Sequence, residues 1–252
     1  MSTAAARGAD ARPGLFRLVA VELRKMVDTR AGFWLQLGSL GLMVTLVVLT
    51  VIFGKADETV YQDMFWTALW PATIILPVAG VLLVSSEWSQ RTAPITFALV
   101  PRRSRVIVAK VGAALVVAAA ALAVSLVLGA IGTAIASPEV QGTWTLEPES
   151  LGQAAVYITA AMLMGLAFGA ALLASAPAIV LLFMLPLTWS LVASISIFEI
   201  PQRWLATTET VAPLADHTLS ATEWAHLVTT LSLWLLLPFA IGLWRIGRSE
   251  VA

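Results

Sequence analysis

Residues 87–110 read EWSQRTAPITFALVPRRSRVIVAK, and the fold follows from what this stretch cannot do. It carries Arg91, Arg102, Arg103, Arg105 and Lys110 against one acid, Glu87. So basic a run cannot lie in hydrocarbon. The segments on either side, 65–85 and 111–136, contain no Asp, Glu, Lys or Arg and are long enough to lie nowhere else. The stretch is therefore a loop at a membrane surface, and its side fixes the topology of the rest.

Working outward, four further apolar segments stand at 33–53, 153–175, 176–198 and 225–244. Roughly 20 helical residues at ~1.5 Å each cross a ~30 Å hydrocarbon core, so all six qualify as spans. Composition agrees: 59% of the 252 residues are hydrophobic and 12% charged, where a soluble domain has about 45–50% and about 25%. The expected fold is all-α and integral to the membrane, with six transmembrane helices occupying 32–248. Between the fourth and fifth segments Pro177 is the expected break, giving a tight helical hairpin. Pro71 and Pro77 in the second span and Pro186 in the fifth permit kinks. Gly165-x-x-x-Gly169 in the fourth is a close-approach pattern.

Charge sets the expected orientation. With the N-terminus inside, 13 of the 15 Lys and Arg fall in cytoplasmic segments, leaving only Lys55 and Arg203 outside. That bias places both termini in the cytoplasm, and the multi-pass chain in the cell (plasma) membrane. Residues 1–13 read as a disordered cytoplasmic tail. Residues 14–31 read as an amphipathic interfacial helix with its apolar stripe on Leu15, Val19, Leu23, Met26 and Val27. The cations Arg17, Arg24, Lys25 and Arg30, with Arg102, Arg103, Arg105 and Lys110, are expected to anchor on anionic headgroups and hold the topology. The loop 137–153 is acidic and expected to be mobile. The external loop 199–224 is too long for a turn, with short interfacial helices expected near 201–205 and 221–226.

The inventory of chemistry is short. There is no cysteine, so no disulfide, thiolate metal site or cysteine nucleophile. A net charge of zero recruits no nucleic acid. Spans without ionisable side chains argue against an ion-coupled carrier, although backbone carbonyls at broken helices leave that route open. No G-x-x-x-x-G-K-[ST] loop is present, so the chain is not expected to be an enzyme hydrolysing ATP itself. Asp216, His217, Glu223 and His226 are metal-capable, but no metal site is expected from solvated groups on a loop. In the fifth span Trp189, Ser190 and Ser194 either line a substrate path or, for the two serines, bond back to their own helix.

Two motifs then resemble the membrane subunit (permease) of ABC-2 type ABC transporters. Glu22-Leu-Arg-Lys25-Met-Val-Asp-Thr-Arg30 looks like the E-x-x-K-x-x-x-x-R of that family's elbow helix. Glu87-Trp-Ser-Gln-Arg91-Thr92, Leu99-Val-Pro101-Arg-Arg-Ser104-Arg105 and Lys110 are similar to its E-x-x-x-G-T … L-x-x-P-x-S-R … K coupling loop, here 86–110, with Arg91 where the family most often has Gly. The resemblance covers about residues 14–248. It implies an exporter for transmembrane transport in which two copies of a separate ABC ATPase subunit bind ATP and Mg, with no cofactor in this chain. A second permease copy would complete a homodimer or heterodimer. Glu87, Trp88, Arg91, Thr92, Ile95, Phe97 and Leu99 would contact the ATPase, moving spans one, two and five. A largely apolar interior suits a hydrophobic or amphipathic cargo. The competing readings are a secondary carrier or channel, and a membrane scaffold or immunity protein without transport.

Overall fold

The computed structural model describes residues 14–54, 59–90, 92, 102–136, 141–193 and 204–248, and among these nine helices follow one another. They are α1 (Leu15–Asp28), α2 (Arg30–Phe53), α3 (Tyr61–Ser89), α4 (Arg103–Ala136), α5 (Pro148–Leu172), α6 (Ser175–Ala193), α7 (Thr207–Val211), α8 (Pro213–Asp216) and α9 (Ala221–Arg248). Six of them, α2 to α6 and α9, are long and apolar enough to cross a membrane. The chain is a multi-pass membrane protein.

The helices outrun the expected spans at several ends, which alters one reading. Glu87 lies within α3 and Lys110 within α4, so these two spanning helices do carry charge, about a turn or less from the expected span limits.

The core is built around α3. Its span is 67% buried, against 17% for α2 and for α6. Phe65, Leu69 and Leu76 of α3 meet Ile158, Met162 and Leu166 of α5, with Ala113 and Ala118 of α4 and Leu227 of α9 closing round them. The Gly165/Gly169 pair makes this possible. A Cβ at Gly165 would come 1.9 Å from the Pro77 carbonyl oxygen, and one at Gly169 would come 2.7 Å from that of Val81. The two backbones touch, as small-residue packing in lipid requires. Helix α3 runs on through both Pro71 and Pro77, each buried inside it.

Between α5 and α6 the break falls earlier than expected. Leu173 adopts the left-handed conformation (φ 54°, ψ 20°) and ends α5, its N–H bonded to the Gly169 carbonyl. Pro177 instead sits in the first turn of α6, where its missing N–H costs nothing. Helix α9 contains a π turn at Ser232–Leu236. Pro238 stands two residues beyond it, and its ring would crowd the Trp234 carbonyl in a regular helix, which the widened turn accommodates.

One end of the bundle gathers residues 204–220. Leu214 is buried, and Gln153 of α5 donates to the Leu214 and His217 carbonyls (2.8 Å each) while accepting from the Leu219 N–H (3.1 Å). Thr230 and Trp234 of α9 bond the carbonyls of Trp204 and Leu205. These segments are folded into the bundle rather than laid on a surface. Nor is 221–226 a separate helix: a capping box between Ser220 and Glu223 starts α9 there. The stretch 141–147, expected to be mobile, is tied to α3. The Tyr61 N–H donates to the Thr143 carbonyl (2.8 Å), and the Glu147 N–H donates to Gln62 (3.2 Å).

Candidate functional site: a buried ion quartet at the α1 end

At the opposite end α1 packs against α4 and α2, with Val19 against Gly112 and Met26 in the core. Its inward face is Val19, Glu22, Leu23 and Met26, an acid within the apolar stripe. Leu15 and Val27, expected in that stripe, are exposed, as is Phe16 at 88%. Thr29, in extended conformation, separates α1 from α2 and caps α2 by accepting the Gly32 N–H (3.1 Å).

Glu22 is only 4% exposed, Glu87 6% and Lys110 3%. Such burial of charge requires partners, and each has them. The Lys110 ammonium donates to Glu22 Oε2 (2.8 Å), Glu87 Oε1 (2.9 Å) and the Leu83 carbonyl (2.8 Å), which uses all three of its protons. Lys25 Nζ donates to Glu22 Oε1 and Glu87 Oε1, both at 2.7 Å. Two acids and two bases close a balanced quartet joining α1, α3 and α4. Partial burial depresses the Lys25 ammonium's pKa, but Glu22 and Glu87 outweigh it and hold the pKa above its usual value.

Lys25 was expected on lipid headgroups, yet its ammonium is held by Glu22 and Glu87, and two further expectations change here. Lys110 was expected to anchor on lipid headgroups, yet its ammonium is enclosed in the bundle. Glu87 was expected at a partner surface, and its carboxylate faces the chain's own two lysines. Trp88 also packs against the core, lining a small cleft with Val106, Phe239 and Ile246. The Thr92 N–H donates to the Glu87 carbonyl (2.8 Å) and closes the end of α3. Arg17, Arg24, Arg30 and Arg102 are exposed, whereas Arg103 reaches the Ile246 carbonyl at the end of α9. Arg105 is partly buried. Arg91, Ile95, Phe97, Leu99 and Ser194 lie outside the described residues.

A second feature lies between α3, α5, α6 and α9, where a cavity of about 290 Å³ includes Ser190 in its lining but not Trp189. The Trp189 indole nitrogen is buried and has no partner among the described residues. The sequence reading missed Thr73, Tyr157 and Met164 of this lining; no charge or spacing marks them. At the α7–α8 end His217 Nε2 and Glu223 Oε1 are 2.8 Å apart, and His226 stacks edge-on against Trp204. Among the described residues no three His, Cys, Asp or Glu group as metal ligands.

No protein-family model and no curated protein matches the chain.

Proposed function

We propose that the chain is the membrane subunit of an ATP-driven exporter of the ABC-2 type, moved by a separate ATPase that binds the loop between α3 and α4. The observation that carries this reading is the convergence of Glu22, Lys25, Glu87 and Lys110. All four were singled out as motif positions from three separate places in the sequence. Nothing in their spacing required them to meet, and they meet at the base of the loop that the resemblance assigns to the ATPase.

The geometry suits transmission of force. Glu87 and Lys110 clasp the two ends of the loop, and Glu22 and Lys25 fasten α1 to the same point. Closure of two ATPases on ATP and Mg would then pull α1, α3 and α4 as one rigid body. Helices α2 and α6 are the least buried spans, which leaves them free to shift as the path opens outward. Both termini lie in the cytoplasm in this reading, in the plasma membrane, with Arg17, Arg24, Arg30 and Arg102 on anionic headgroups.

The test is a pull-down of the tagged chain from its native membranes in mild detergent, followed by mass spectrometry. A stoichiometric ATPase subunit is expected, with retention reduced by Phe97→Ala in the loop. Recovery of the chain with no nucleotide-binding partner overturns the reading in favour of a carrier or a scaffold.

A further inference from the structure

The cavity between α3, α5, α6 and α9 has a chemistry of its own. Among the described residues, no Asp, Glu, Lys, Arg or His lines it. Its polar groups are hydroxyls, and that of Thr73 is already donated to the Trp70 carbonyl (2.7 Å). Tyr157 also lines it, with its ring against Trp66, and its hydroxyl makes no hydrogen bond among the described residues. At ~30 Å³ per water-sized group, a volume of about 290 Å³ holds about ten such groups, the bulk of a hydrocarbon chain segment.

The mouth identifies the source of that chain. Phe183 and Leu187 of α6 line the cavity and are also exposed, at 36% and 50%. They are continuous with Val180, Met184 and Leu191 on the outer apolar face of the same helix. In a six-span protein this face lies against bilayer hydrocarbon, so the cavity opens to lipid rather than to water. A cavity that opens to lipid and carries no fixed charge is filled from the bilayer.

We propose that this cavity binds one acyl chain of a bilayer phospholipid, entering past Phe183 and Leu187, with the Tyr157 hydroxyl available to an ester carbonyl. The proposal rests on the six-span fold and not on the exporter reading, so either can fail alone.

The experiment uses the purified full chain in phosphatidylcholine vesicles containing a phosphatidylcholine with a diazirine on one acyl chain. After irradiation, adducts are mapped by peptide mass spectrometry. Adducts on Tyr157 and Met164 are expected in the wild type without ATPase or nucleotide. They are expected to be lost in Ala161→Trp, which fills the cavity, while adducts on the exposed Leu42 and Val48 of α2 persist. Should Ala161→Trp not fold, Leu187→Trp at the half-exposed mouth is expected to give the same loss. Labelling of the outer faces alone overturns the proposal, as does cavity labelling that survives both substitutions. Cavity labelling that appears only with an ATPase and nucleotide also overturns it, and makes the occupant cargo.

Discussion

Lys110 is the residue on which the α1 end depends most. Replacing it by Met removes the ammonium that faces both carboxylates and leaves Lys25 alone against two acids. Breaking a buried ionic group by deleting one member costs about 3–5 kcal/mol, so Lys110→Met should lower the thermal midpoint in detergent by several degrees. The double variant Glu22→Gln, Lys110→Met should cost less than the single one, because it leaves Glu87 paired with Lys25 and no buried charge uncompensated. A single substitution no worse than the double would argue that the quartet is not electrostatically coupled. The pH dependence follows from Lys25, whose folded pKa is raised. Its contribution is fully present below the unfolded value of about 10.4 and is lost as pH rises through the folded one. Attachment of α1, read by hydrogen exchange of 15–28, should therefore not respond to Lys25 titration between about pH 6 and 9 and should weaken only above about pH 10. Of this site the sequence displayed Glu22 and Lys25 as an i,i+3 pair and Glu87 and Lys110 as the ends of a loop. It also held a signal that passed unread: Glu22 stands three residues after Val19 and four before Met26, inside the apolar stripe. An acid there needs a buried cation.

At the scale of the element, the α3–α5 contact sets the packing. Gly165→Ala would drive a methyl group into the Pro77 backbone, and overpacking of this kind costs about 1–3 kcal/mol. Gly38→Ala on α2 meets nothing within 4 Å and should be neutral or stabilising by up to about 1 kcal/mol. Thermal unfolding of the two variants side by side checks the contrast; equal effects would mean that α3 and α5 do not approach as closely as described. The spans themselves were legible, since twenty apolar residues admit few alternatives in lipid. Their ends were less so. Helix α3 continues four residues past 85 and α4 starts eight before 111, because hydrogen-bonded backbone continues wherever side chains find partners, and Glu87 and Lys110 do. The α5–α6 break moved from Pro177 to Leu173 for a related reason: proline is tolerated in a first turn, so the chain had to end α5 elsewhere.

For the whole molecule, the basic-residue bias gives an orientation that can be read directly, because a chain without cysteine is a clean background for single-cysteine labelling. Arg17→Cys should react with an impermeant maleimide only after permeabilisation, and Thr218→Cys should react in intact cells. The reverse pattern would invert the topology and remove the loop between α3 and α4 from reach of a cytoplasmic ATPase. The sequence by itself determined that this protein lives in a bilayer, how many times it can cross, and which loop is basic, since hydropathy and charge are local properties of the chain. Only the tertiary structure decided that the motif charges of α1, α3 and α4 face one another, that 204–220 fold back into the bundle on Gln153, and that an uncharged cavity opens beside α6. Those depend on which helix faces meet, and in lipid that is settled by close packing and by the need to pair every buried polar group, which no single segment specifies alone.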